Sequence, residues 1–207
     1  MDIDNIVSKV KNRSPRPIDI KRKYAVLVPL IRNNERLEII FELRAKNLKS
    51  QPGEISFPGG RLEDGESFEE GAVRETMEEL RVSRENIRVI GELDYFISYA
   101  NITIHCFLAT ISGINVDNIM PNKDEVDHLF TVPLEFFLEN EPEIYYLDLT
   151  VKASDEFPYN LIPNGEDYNW RKGKHSVYFY EYNDYIIWGY TARMIRNLVE
   201  IVKGLSH

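Results

Sequence analysis

Between positions 57 and 80 the chain reads FPGGRLEDGESFEEGAVRETMEEL, eight acidic residues in twenty-four. Residues three and four apart on a helix face the same way, so Glu75, Glu78 and Glu79 share one face, with Arg74 beside them. Like charges at that spacing repel, each close pair costing an isolated helix roughly 0.2–0.5 kcal/mol. Two arrangements relieve that repulsion: full solvation of the face, or a cation seated among the carboxylates. Hard cations such as Mg²⁺ and Mn²⁺ take oxygen ligands of this kind and leave positions for water and substrate phosphates. Phe68, Ala72, Val73, Met77 and Leu80 recur at helical spacing in the same stretch, which predicts a helix over 67–80 that buries them.

Strand patterns surround this helix. YAVLVPLI and RLEIIFELR flank Asn33-Asn34 and read as two strands joined by a turn, and the Pro- and Gly-punctuated QPGEISFPGGRLEDGE leads into the acidic helix. Beyond it, IRVIGEL, YFISYA and NITIHCFLATI are strand candidates, MPNKDEVDHL a loop and EFFLEN a short helix. IYYLDLTV and HSVYFYEY read as further strands, separated by a turn-rich stretch around 162–165. In WGYTARMIRNLVEIVKGL, the apolar residues Met194, Ile195, Leu198, Ile201 and Val202 mark a closing amphipathic helix, with Thr191 near its start as a capping candidate. Ile3, Ile6, Val7 and Val10 mark an opening helix that RSPRP stops, and its stripe is expected to pack on the domain or on a second subunit, leaving a homodimer open. The division is residues 1–22 as helix and linker and 23–207 as one layered α/β domain.

Charge narrows the partners. At a formal −9 the chain has no overall footprint for nucleic acid or an anionic membrane surface, so an anionic ligand would need a local basic patch. Apolar runs such as AVLVPLI fall far short of the ~18 residues needed to span a bilayer. MDIDNIVSKVKNR lacks the pattern of a signal peptide, so the expected location is the cytoplasm. The single Cys106 reads as a buried strand residue without an intrachain partner.

The spacing of the acidic segment resembles the signature of Nudix hydrolases, G-x5-E-x7-R-E-U-x-E-E-x-G-U with U apolar. Gly60, Glu66, Arg74-Glu75, Glu78-Glu79 and Val82 all fall in register. Thr76 replaces the first apolar residue, and Arg81 stands where the family has a second Gly, which would end the helix in a left-handed conformation. The resemblance implies an α/β/α sandwich with a mixed β-sheet. It also implies Glu75, Glu78 and Glu79 as ligands of Mg²⁺ or Mn²⁺, with Arg74 orienting them, Glu66 supporting the helix and the Gly60 carbonyl facing the metal. The implied reaction is hydrolysis of a nucleoside diphosphate derivative by attack of water on phosphorus. The general base comes from the box or from a later loop, where Glu125 of NKDEVDHLF is the candidate; a solvated loop Glu remains the alternative.

Upstream, LRAKNLKSQPGEISFPGG is similar to the extra motif of the coenzyme A pyrophosphatase branch, R-[SA]-x3-R-x3-G-x3-FPGG. Arg44-Ala45, Gly53 and residues 57–60 match, while Lys49 takes the place of an Arg and loses its planar fork. DEVDHLFTVPLEFF and IIWGYTARMI also look like segments of that branch. The implied substrate is coenzyme A or a thioester of it, split into 3′,5′-ADP and 4′-phosphopantetheine or its acyl form. Arg44, Lys49 and Arg61 are the candidates for binding its phosphates. ADP-ribose, NADH or another nucleotide as substrate, or a silent nucleotide-sensing domain, are the competing readings.

Overall fold

Long apolar runs buried on both faces belong at the centre of a sheet. The computed structural model, which describes residues 2–205, places the two longest there: β1 (Arg22–Asn33) and β7 (Ile102–Ile111) run parallel, from Arg22↔Ile102 to Ile31↔Ile111. β2 (Arg36–Arg44) folds back on β1 across Asn34-Glu35, with Asn34 in the left-handed region (φ 54°) that such a turn requires. The two strands then part. β2 pairs with β3 (Ile55–Ser56), while the first half of β1 pairs with β4 (Gly59–Arg61), so the segment leading into the acidic helix fills the wedge between them. β5 (Ile87–Glu92) and β6 (Phe96–Ser98) line the far side of β7, and β8 (Val126–Pro133) the far side of β2. A separate antiparallel sheet comprises β9 (Glu143–Leu149), β10 (Gly173–Tyr182) and β11 (Tyr185–Trp188).

Period-two alternation sends successive residues of β2 to opposite layers. Ile40 joins Ala25, Leu27 and Phe107 under α2 (Phe68–Leu80), whose Ala72, Val73 and Leu80 close that layer. Ile39 and Phe41 face the other layer, packed by Phe137 of α3 (Leu134–Glu139), by Tyr180 and Ile187 of the small sheet, and by Ile195, Leu198 and Val199 of α4 (Gly189–Val202). The main sheet thus lies between helices, the α/β/α arrangement expected. Cys106 is buried in β7, where loss of solvation pushes its thiol up. Among the described residues no helix is long and apolar enough to cross a membrane.

Several sequence expectations need correction. Residues 126–129 extend β8 rather than the preceding loop, because β2 supplies a pairing edge there, and β11 forms an unanticipated hairpin with β10. Thr191 does not cap α4; it lies inside the helix and its hydroxyl donates to the Ile55 carbonyl at 3.1 Å. Phe68 and Met77 are half-buried, packed at the border of their layer. The opening helix α1 (Ile3–Lys11) forms, yet none of its residues is buried, so its apolar stripe does not pack on the domain. Phe41 is fully buried and stacks on Phe57 and Phe130 at 5.1 and 5.3 Å between ring centres. Phe41→Ala should therefore lower unfolding stability by about 3–5 kcal/mol in urea titrations followed by tryptophan fluorescence.

Candidate active site

The acidic helix is fixed at both ends by local chemistry. Ser67 Oγ accepts from the Glu70 N–H (3.2 Å) while the Glu70 carboxylate accepts from the Ser67 N–H (2.9 Å), a reciprocal cap. Arg81 ends the helix left-handed (φ 53°, ψ 43°) despite its side chain, and its guanidinium donates to Asn122 Oδ1 at 3.3 Å. The Asn122 N–H caps the Glu79 carbonyl at 2.8 Å, which ties the loop before β8 to this helix end. Thr76, in the family's apolar position, is buried with its hydroxyl returned to the Ala72 carbonyl (2.7 Å).

Arg74 is the hub of the acidic face. Its Nε and Nη2 donate to the two oxygens of Glu66 at 2.8 and 3.2 Å, and Nη1 donates to Glu75 at 2.9 Å and Glu78 at 3.4 Å. Nη2 also reaches the Arg61 carbonyl (3.3 Å), so β4 and the helix are joined through one guanidinium. Glu66 is pulled below the usual carboxylate range, chiefly by the hydrogen bond from Arg74. Glu79 turns inward, and its Oε2 accepts the Gly59 N–H at 2.8 Å. A Cβ on Gly60 would lie 2.3 Å from the Glu75 carboxylate, so a side chain at the box glycine would push Glu75 out of its place. Glu78 is the solvent-facing member, over half exposed.

The wedge brings further groups to this face. Glu42 of β2 is fully buried and accepts from Ser56 Oγ at 2.8 Å, with Arg44 Nη1 3.8 Å away. Glu125 is half-buried; its carboxylate accepts from Asn122 Nδ2 (2.9 Å) and its carbonyl from the Ala45 N–H (2.8 Å). Glu125 is close enough to Glu42 and Glu75 to raise both. Of the candidate phosphate binders, Arg44 reaches the cluster, whereas Lys49 and Arg61 expose their side chains outside it. Glu42 and Ser56 were not anticipated. The signal was present as one carboxylate inside the apolar strand pattern of IIFELR, where burial would leave a charge to be matched.

Burial first, and then repulsion from Glu42, raises Glu79 from 4.5 to about 9, and desolvation raises Glu42 to about 7. Glu75 is raised as well, by desolvation, against the pull of Arg74. Three observations fit a hard divalent cation here: mutually repelling carboxylates, an all-oxygen donor set, and a buried Glu42 Oε2 with no hydrogen-bond partner among the described residues. Among the described residues no three His, Cys, Asp or Glu side chains already close on one point. Glu75 and Glu79 are instead held in place by Arg74 and Gly59.

A NUDIX domain model matches residues 21–148. The worm protein Nudix hydrolase 3 (Caenorhabditis elegans) is 27% identical over 97% of this chain and 82% of its own length. The mouse peroxisomal coenzyme A diphosphatase NUDT7 is 31% identical over 65% of this chain; the match spans 56% of the mouse protein. A MutT/nudix family crystal structure from Enterococcus faecalis superposes over 98% of this chain and 70% of its own with a TM-score of 0.52 at 16% identity, a likeness of fold.

The raised carboxylates predict a pH dependence. Between about 4.5 and about 9 the folded metal-free protein retains protons that the unfolded chain has released, so stability falls as pH rises through that window. Melting in EDTA should occur at lower temperature at pH 9 than at pH 5, and Mn²⁺ should restore more of the loss at the higher pH.

Proposed function

Because this chain belongs to the Nudix hydrolase family, we propose that it hydrolyses the diphosphate bond of coenzyme A or its thioesters with Mg²⁺ or Mn²⁺. Glu75, Glu78, Glu79 and the Gly60 carbonyl would hold the cation, which supplies Lewis-acid neutralisation of the charge that develops on the phosphoryl oxygens. Water attacks one phosphorus, the bridging P–O bond breaks, and the products are 3′,5′-ADP and 4′-phosphopantetheine or its acyl form. Glu125, carried on the loop clamped to the helix end, takes the proton from the attacking water. Arg74 keeps the helix carboxylates in one array and stays charged throughout, its proton held above its usual range by Glu66 and Glu75. The Gly59 N–H fixes the inward rotamer of Glu79.

The observation that carries the substrate reading is the position of Arg44. It belongs to the upstream motif similar to coenzyme A pyrophosphatases, and it stands 3.8 Å from Glu42 of the carboxylate cluster, its buried Nε without a hydrogen-bond partner among the described residues. A guanidinium there meets a diphosphate at the place where the carboxylates gather the cation. Lys49 and Arg61, exposed nearby in the chain, suit the more distant 3′-phosphate. The likeness to the mouse coenzyme A diphosphatase supports the same assignment.

The test is turnover of coenzyme A, acetyl-coenzyme A, ADP-ribose, NADH and diadenosine polyphosphates with Mg²⁺ or Mn²⁺, the products resolved by chromatography. Release of 3′,5′-ADP should be metal-dependent and faster than turnover of the other compounds; preference for another compound would retain the carboxylate site and remove the substrate assignment. Glu79→Gln should lower kcat about 10²- to 10³-fold, as loss of a charge-stabilising group does. Arg44→Ala should lower kcat/KM for coenzyme A roughly 10- to 100-fold through loss of a charged hydrogen bond to phosphate.

A further inference from the structure

Glu42 lies outside the acidic box and outside the pattern of the upstream motif. Alternation along β2 places it with Ile40 on the α2 side of the sheet, where it is fully buried. Its surroundings saturate it poorly. One oxygen takes the Ser56 hydroxyl at 2.8 Å, and Arg44 Nη1 stands 3.8 Å off, beyond hydrogen-bond range. Among the described residues the other oxygen, Oε2, has no hydrogen-bond partner, and neither has the buried Nε of Arg44. A carboxylate kept only for architecture is ordinarily matched by a forked guanidinium or by hydrogen bonds to both oxygens. Here Arg44 attracts the carboxylate without hydrogen-bonding it, while Glu79, Glu75 and Glu125 repel it. Its position is not the accident of a loose loop, because Glu42 is held in register opposite both Ser56 and Leu129.

We propose that Glu42 is a further carboxylate of the divalent-cation site, supplied from the sheet by β2 while α2 supplies Glu75 and Glu79 from the helix. The inference rests on the reading of Glu75 and Glu79 as cation-binding groups. Ser56 fixes one oxygen of Glu42 and leaves the other to face the positive charge. With Glu42 so engaged, Arg44 keeps its Nε for a substrate phosphate, and one rung of the β2–β3 ladder joins cation binding to substrate binding.

Binding of Mn²⁺, followed by the electron paramagnetic resonance of the free ion, tests this without reference to turnover. Glu42→Gln keeps the shape and the Ser56 contact but removes the charge, and should weaken Mn²⁺ binding roughly 10-fold or more. It should also raise the melting temperature of the metal-free protein and shrink the stabilisation that Mn²⁺ confers. Unchanged Mn²⁺ affinity in a folded Glu42→Gln protein would overturn the proposal and leave Glu42 as a scaffold residue. A wild-type protein that binds no Mn²⁺ would overturn the reading of Glu75 and Glu79 itself, a separate result. Should the Gln variant fail to fold, Ser56→Ala frees the same carboxylate while preserving its charge; severalfold weaker Mn²⁺ binding supports the proposal, and equal binding defeats it.

Discussion

Repulsion among carboxylates is the constraint on which this structure turns. Glu42, Glu75, Glu79 and Glu125 come from β2, α2 and the loop before β8, and Glu42, Glu75 and Glu79 are all raised, first by burial and then by the like charges around them. A chain without compensation would splay these elements apart. Arg74 opposes that tendency with four hydrogen bonds to Glu66, Glu75 and Glu78, one more than the three donors of an ammonium could make, and grips both oxygens of Glu66 with its planar fork. The Gly59 N–H does the same for Glu79, at the cost of a backbone approach that tolerates no side chain on Gly59, whose Cβ would lie 2.4 Å from the Ala25 carbonyl oxygen. The electrostatic strain is thus contained by a small number of directional bonds.

The sheet provides the place for those bonds. Had β1 and β2 stayed paired along their whole length, no backbone N–H would have been left to meet Glu79. Their separation lets the FPGG segment run between them, with β3 against β2, β4 against β1, and the Leu27 N–H on the Pro58 carbonyl. Phe57 points into one layer and stacks on Phe41, which anchors the segment from behind. On the other layer Ala72, Val73 and Leu80 press α2 onto Ala25 and Leu27. Hydrophobic burial on both sides therefore holds the glycine turn and the acidic helix at a fixed separation, and the polar contacts need only supply orientation.

What could be read from the sequence follows from which forces are local. The acidic helix, its apolar face and its ends are set by contacts within a few residues, and the expected helix over 67–80 differs from α2 mainly in assigning its first residue to the cap. Arg81 keeps the left-handed geometry of a glycine, and Asn122, distant in sequence, bonds both its guanidinium and the Glu79 carbonyl at that helix end. Features that depend on remote pairing were harder to see. β8 begins earlier than its Pro- and Asp-rich sequence suggests because β2 offers it a ladder, and Thr191 serves the Ile55 carbonyl instead of its own helix end. The α1 stripe had the right periodicity, but periodicity says only that a helix has an apolar face and is silent on what covers it.

Glu42 shows why a motif and a site are different objects. A motif collects residues whose spacing is fixed by one helix or one turn, so Arg74, Glu75, Glu78 and Glu79 announce themselves together. Glu42 and Arg44 reach the same place from a strand, through the rung that pairs Glu42 with Ser56, and their distance in sequence from the acidic helix carries no periodic signature. Their effect on the site is nonetheless direct: Glu42 adds negative charge beside Glu79, while Arg44 lowers both. A protein of net charge −9 that handles a diphosphate must separate the charge that attracts a cation from the charge that admits an anion. Placing Glu42 and Arg44 two residues apart on one strand, their side chains 3.8 Å apart across the irregularity in the ladder after Leu43, brings the two kinds of charge to adjacent positions.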